Sequence, residues 1–305
     1  MRLPFFTVDV FTSVRFAGNP LAIVDKADAL STAQMQTIAR EFNLSETIFV
    51  QIADDSAHTA KVRIFFPTAE IPFAGHPTIG CAIHLAQTLH PQGDFSEMIT
   101  LEEVAGLVPV TVARTGLTIR AQLTAPIVPF AGAGKTPGSA MAAAALGLAP
   151  HQIGFAAHKI AQWQGGPTFL FVPVTDTSAL KSARPCEPAW SEMMDFADVH
   201  KAYVYTPGEA QNSYRSRMFA PTAGTPEDPA TGSASALLAA QLLASGELKT
   251  GLNAFELQQG FDMGRPSQIS MQADVSAGAL SAVRIAGSSV SVSAGWLETD
   301  ADSTL

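Results

Sequence analysis

Two seven-residue stretches, HPTIGCA at His76–Ala82 and DPATGSA at Asp228–Ala234, stand about half the chain apart and share proline, glycine and alanine at matching places. Each leads into a segment that is apolar on nearly every face, TIGCAIHLAQTLH in one case and TGSASALLAAQLLAS in the other. Three further echoes keep the same order: GNPLAIV from Gly18 with GGPTFLFV from Gly165, FFPTA from Phe65 with MFAPTA from Met218, and GLVPVTV from Gly106 with MGRPSQISM from Met263. Gly-Pro turns before strands are common, so one echo carries little weight. Four in one order, with a spacing that drifts by a few residues, are what duplication followed by small insertions leaves behind. The chain is therefore expected to form two similar domains, 1–127 and 128–305. They divide near the Pro- and Gly-rich stretch TAPIVPFAGAGKTPGS at Thr124–Ser139, and the C-terminal segment is free to pack back on the first half.

Local patterns fill in this plan. FFTVDVF, LAIVDK, ETIFVQI, KVRIFF, PVTVAR and LTIRAQL alternate apolar and polar residues and are rich in β-branched and aromatic side chains, which predicts strands. STAQMQTIAREF has helical periodicity, with Ser31 placed as its N-cap. A helix that is apolar all round is buried on all sides in a globular protein. Each half thus reads as a central helix wrapped by strands, an α+β fold.

The heads of those two helices are the first candidates for chemistry. Proline suits the first helical position, where its missing N–H costs nothing, so Pro77 and Pro229 predict His76 and Asp228 as N-caps, preceded by Gly75 and Glu227. The first N–H groups of a helix have no internal partner and carry the positive end of the peptide dipole, which attracts a carboxylate or phosphate. Small residues at Gly80 and Gly232, Cys81 and Ser233, leave the approach open. Asp228 is also a good cap with no further role. A lone histidine is more often a satisfied structural group than a catalyst, although His76 can exchange a proton near neutral pH. Duplication shifts that balance, because related domains facing each other across a pseudo-dyad would bring both helix ends to one cleft. The strand entry FNLSETIFV, Phe42–Val50, adds Glu46, whose counterpart in FADVHKAYVY is His200 or Lys201. Glu46 reads either as a solvated edge residue or, if it points into the cleft, as a carboxyl raised toward neutrality and suited to shuttling a proton.

Other classes fall away. The 305 residues hold 18 Lys and Arg against 27 Asp and Glu, a net charge of −9, which is a poor match to nucleic acid. Only two cysteines occur, Cys81 and Cys186, without metal or disulfide-framework spacing, and MRLPFFTVDVF lacks the apolar core of a signal peptide, so a cytoplasmic protein is expected. No run approaches the roughly 18 apolar residues of a membrane span. GAGKTPG is not a phosphate loop, since Pro129 stands where a glycine is required and Pro137 would break the following helix. His76 and His84 lack an acidic partner at metal-binding spacing, and no G-x-S-x-G elbow is present.

At DVFTSVRFAGNPLAIV, NLSETIFV, FFPTAEIPFAGHPTIGCA, RMFAPTAGTPEDPATGSA and GFDMGRPSQI the chain resembles the PhzF-like, or phenazine-biosynthesis-like, isomerase family, whose fold is that of diaminopimelate epimerase. The resemblance implies two domains related by a pseudo-two-fold axis, each a mixed β-barrel around one central helix, with the active site between them and no cofactor. It places the proton-shuttling glutamate on Glu46, the histidine on His76 and the aspartate on Asp228. Backbone N–H groups around Gly75, Gly232 and Ser233 would hold a substrate carboxylate. In the phenazine-pathway member a double bond of a dihydro-hydroxyanthranilate moves as a proton passes between ring carbons. Two departures matter. Racemases of this fold use one cysteine from each half, but Cys81 lies a turn into its helix and its counterpart is Ser233. A basic residue is expected where Gln268 stands.

The expectation is a cofactor-independent isomerase of a small, cyclic amino or hydroxy carboxylic acid, with no nucleic-acid or membrane partner and with homodimer assembly compatible with the sequence. A catalytically silent carboxylate-binding protein of the same fold and an amino-acid epimerase or racemase are the alternatives.

Overall fold

Burial along the hairpin Phe95–Glu103 and Gly106–Thr115 shows why the alternating segments become sheet. Ile99 and Leu101 on one strand and Val108, Val110 and Val112 on the other are all buried, while residues between them face outward. The computed structural model describes residues 1–300. It divides into two compact units, Met1–Thr124 rejoined by the segment from Ala286, and Ala125–Ile285.

In the first unit Arg2–Val10 pairs antiparallel with Asn19–Val24 and with the last strand, Ser289–Glu298. Asn19–Val24 then runs parallel to Glu46–Gln51, which pairs antiparallel with Ala60–Phe65. Ala60–Phe65 runs parallel to Phe95–Glu103, and Gly106–Thr115 and Thr118–Thr124 follow antiparallel. The second unit repeats this alternation of pairings through Ala161–Gln164, Thr168–Pro173, Ala202–Pro207, Ser213–Ala220, Gly251–Gln259 and Ser267–Ser276. The duplication read from four short echoes is thus written into the hydrogen-bond topology.

Helix Gly75–Leu89 packs against the strands of its unit with Ile79, Cys81, Ala82, Ile83 and Ala86 buried. Gly80 lets it approach closely, since a Cβ there would meet Leu21 Cδ2 at 2.7 Å and Val10 Cγ2 at 2.8 Å. Helix Gly232–Ala244 of the second unit is buried from Ala234 to Leu242. Its one long polar side chain, Gln241, is satisfied by Trp163 Nε1 at 2.6 Å and the Lys159 carbonyl at 2.9 Å, as a buried amide must be. Two further apolar clusters cover the sheets. Helix Thr32–Phe42 seats Met35, Ile38 and Ala39 against Phe49 and Phe65. Helices Ser139–Leu146 and Ala189–Ala197 pack around Trp190, Leu146 and Phe219. Ser31 does cap Thr32–Phe42, in a reciprocal box with Gln34.

One echo fails in detail. The strand rungs set Glu103 opposite Gly106 and Gln259 opposite Ser267. Gly106 therefore corresponds to Ser267 rather than Met263, and the second hairpin carries the longer loop.

Candidate active site

Glu46 is the first residue of an interior strand, beside Leu21 on one side, with Thr47 paired to Phe65 on the other. It is 8% exposed, so it is no solvated edge residue. The corresponding rung of the second unit joins Ala202 to Phe219, which makes Lys201 the counterpart of Glu46. Lys201 is half-buried and holds its ammonium 5.4 Å from the Phe169 ring. The two units thus share the strand, with an acidic residue at its head in one and a basic residue just before it in the other.

His76 Nε2 lies 3.2 Å from Glu46 Oε2, with both side chains buried. Burial pushes the His76 imidazole down to about 3, so at neutral pH the ring is uncharged and meets the carboxyl as a neutral partner. His76 is not the N-cap that Pro77 predicts. Helix Gly75–Leu89 starts from Ala74 in extended conformation, so Gly75 and His76 are its first two residues and Pro77 its third. Proline is tolerated there because none of the first N–H groups has an intrahelical partner. The backbone N–H groups of both Gly75 and His76 are among those open donors.

Asp228 is likewise no N-cap. It ends strand Thr225–Asp228, whose pairing with Met218 draws it into the sheet, and helix Gly232–Ala244 starts only after Thr231. Pro229 therefore precedes the helix by more than the first helical position. Gly232 and Ser233 are the first two helical residues. The Asp228 carboxylate accepts from Thr231 Oγ1 at 2.5 Å, and its carbonyl accepts from Gln259 Nε2 at 2.7 Å. Gln259 also donates to Thr231 Oγ1 at 2.9 Å and accepts from the Thr231 N–H at 3.1 Å. All three side chains are buried. Thr231 stands inside DPATGSA but was not singled out there, and Gln259 lies outside every motif; its one sequence signal was the inward phase of Phe255, Leu257 and Gln259 along FELQQ.

The next residue locks this corner. Gly260 has φ +77°, and a Cβ there would lie 2.3 Å from the Arg265 carbonyl oxygen and 2.6 Å from that of Pro229. Gly260→Ala is expected to destabilise the protein by about 3 kcal/mol, adding backbone clash to left-handed strain. Thermal or denaturant unfolding would measure it, and an unchanged midpoint would show that the corner is not rigid.

Cys81 is wholly buried, and burial pushes its thiol up, away from the thiolate a base or nucleophile needs. His84 faces Asp25 at 3.2 Å, a partner distant in sequence, and lies against the Phe6 ring with the two ring planes tilted by 43°. Gln268 is exposed, across from Gln258 on the adjacent strand. Among the described residues no group of three or more His, Cys, Asp or Glu is arranged to hold a metal ion, and no helix is long and apolar enough to cross a membrane.

The chain matches the family model for phenazine biosynthesis-like proteins, PhzC-PhzF, over residues 8–295. It is 39% identical over 299 residues to a Mesorhizobium japonicum protein described as an uncharacterized isomerase, covering 96% of this chain and 98% of that one. It is 35% identical over 294 residues to the trans-2,3-dihydro-3-hydroxyanthranilate isomerase of Pseudomonas fluorescens, covering 96% and 98%. Among solved structures, a Bacillus anthracis phenazine biosynthesis protein of the PhzF family superposes with TM-score 0.84 at 22% identity, covering 98% of this chain and all of that one. Near full-length agreement in sequence, joined to a duplicated mixed-sheet fold, shows that this chain belongs to the phenazine biosynthesis-like protein family and is an isomerase of it.

Proposed function

We propose that the protein moves a proton between carbons of a small, cyclic amino or hydroxy carboxylic acid, with Glu46 as the shuttle. The observation that supports this most is the buried Glu46–His76 contact at 3.2 Å, a carboxyl beside a neutral imidazole with no cation in the pair. In this reading ionised Glu46 removes a proton from a carbon made acidic by conjugation with a carboxylate or ring π-system. It then returns that proton to another carbon on the same face. His76 hydrogen-bonds the amine or hydroxyl substituent and steadies the Glu46 carboxyl. Asp228, held by Thr231, orients a polar substituent of the substrate. The open N–H groups at Gly75, Gly232 and Ser233 hold the carboxylate and stabilise charge developing on the substrate, the term that is usually largest in such catalysis. The substrate class follows the Pseudomonas fluorescens relative, whose named substrate is a cyclic amino acid carrying a hydroxyl. A two-cysteine racemase is disfavoured by the buried, protonated Cys81 and by serine at its counterpart Ser233.

The test is incubation in heavy water with a panel of cyclic amino and hydroxy acids, followed by mass spectrometry and NMR. At least one acid is expected to isomerise, and any deuterium taken up is expected only at the carbons between which the proton moves. A silent carboxylate-binding protein would instead show a raised Tm with the acid and neither isomerised product nor isotope exchange, and that result would overturn the proposal.

A further inference from the structure

Two polar side chains stand where the alternation of their strands calls for apolar ones. Along Phe95–Glu103 the inward row runs Ile99, Leu101, Glu103, and along Gly251–Gln259 it runs Phe255, Leu257, Gln259. The two positions correspond. Lys61 pairs with Glu102 in one unit and Arg215 with Gln258 in the other, and Lys61 and Arg215 stand equally far before the phenylalanines Phe65 and Phe219 of the FFPTA and MFAPTA echo. Each polar residue is the last of its strand, and each reaches the head of its unit's central helix.

Gln259 does this with an amide that is neutral at every pH, donating to Thr231 Oγ1 and to the Asp228 carbonyl. Glu103 Oε1 lies 2.6 Å from Thr78 Oγ1, which is itself 2.7 Å from the Ala74 carbonyl oxygen. A hydroxyl carries one proton, and a carbonyl oxygen can only accept. When Thr78 donates to Ala74, its contact with Glu103 is attractive only if the carboxyl brings a proton of its own.

We propose that Glu103 is a positioning residue for His76: its carboxyl grips Thr78, and through Thr78 the Ala74 peptide from which the turn bearing Gly75 and His76 starts. Gln259 has the same task at Thr231 and Asp228. The proposal rests on the reading of Glu46 and His76 as the reacting pair.

The surroundings favour the protonated form. The helix presents Thr78 and the buried Cys81 thiol to Glu103. The adjacent strand contributes Lys61 and Arg63, its own strand Glu102, and the preceding loop Asp54. Lys61 is engaged by Asp54 at 2.8 Å, and Arg63 by Glu70 through bonds of 2.7 and 2.6 Å. Glu102 accepts from the Asp54 and Asp55 N–H groups and meets His58. Among the described residues no cation is paired with Glu103. Burial accordingly pushes its carboxyl from 4.5 up to about 8. The folded protein keeps this proton between those values, where the unfolded chain has lost it. The stability it contributes is full below about 4.5 and is lost as pH rises through about 8.

The test follows the ring-nitrogen NMR signals of His76, identified by their loss in His76→Gln, on both sides of pH 8, together with isotope exchange and Tm. In wild type these signals are expected to move and exchange to fall as pH rises through about 8. Since burial pushes the His76 imidazole down to about 3, its ring reports a neighbour in this window. Glu103→Gln, which installs the other unit's residue, is expected to hold the signals steady, to keep exchange within about two-fold of wild type at neutral pH and to abolish the alkaline fall. Glu103→Leu and the isosteric Thr78→Val are expected to displace the His76 signals at every pH and to lower exchange about ten-fold. The proposal is overturned if Glu103→Gln titrates like wild type, or if the Leu and Val variants leave the His76 signals in place. Absence of both isomerised product and exchange in wild type with every acid would sink the functional reading alone, because the His76 signals would still decide the role of Glu103.

Discussion

Glu46→Gln is expected to lower turnover by about 10²- to 10⁴-fold, the usual worth of a positioned proton-transfer group. Glutamine keeps the volume of glutamate, its hydrogen-bonding reach and its place beside Leu21 in the sheet, but it cannot take up a proton from carbon and hand it back. KM is expected to change little, since the open N–H groups assigned to the substrate carboxylate, at Gly75 in this helix head, are untouched. Stability should hold or rise, because a buried carboxyl is costly to keep, and gain of stability with loss of function is common at sites built for chemistry. Steady-state kinetics and deuterium exchange on the purified variant, with a melt to verify folding, are the measurements. Turnover at the wild-type rate would remove Glu46 from the shuttle role.

Asp228 separates function from architecture through two substitutions. Asp228→Asn keeps an oxygen for the 2.5 Å bond from Thr231 and leaves the backbone carbonyl that Gln259 holds. It is expected to cost about 1 kcal/mol, the difference between a charge-assisted and a neutral hydrogen bond. Turnover is expected to fall by about 10²-fold if the charge orients the substrate as proposed, because that charge is gone. Asp228→Ala leaves the buried Thr231 hydroxyl without that acceptor and is expected to cost about 1–3 kcal/mol, with activity no better than the asparagine variant. If asparagine retains full activity while alanine loses only stability, Asp228 is architectural. Chemical denaturation and kinetics on the same preparations distinguish these outcomes.

Both residues show what kind of information a local pattern holds. Proline at Pro77 and Pro229 suggested identical helix starts, yet one helix begins at Gly75 and the other at Gly232. The difference lies in the strand before each. Glu70–Ile71 ends early and leaves residues for a turn into the helix, while Thr225–Asp228 stays paired as far as Asp228, across from Met218. A proline reports where a helix can start, and a partner strand decides where it does. Glu46 was ambiguous for a related reason. Its position at the head of ETIFVQ placed it on a strand, but only the parallel pairing with Asn19–Val24 made that strand interior, buried on both faces rather than alternating, with Glu46 buried at its start.

Sequence alone determined the duplication, the two apolar helices that each half buries and the family, and it named Glu46, His76 and Asp228 as the candidates for chemistry. All of these rest on short motifs, their order along the chain and their repetition, not on which distant strands pair. Tertiary structure alone decided which groups answer them: His76 as a neutral ring 3.2 Å from Glu46, Thr231 and Gln259 around Asp228, and Glu103 behind Thr78. Gln259 lies 28 residues from Thr231, and Glu103 lies 25 from Thr78. Periodicity tells which face of a strand a side chain occupies. The partner across that face is set by how strands distant in sequence pair, and with it the protonation of a buried carboxyl.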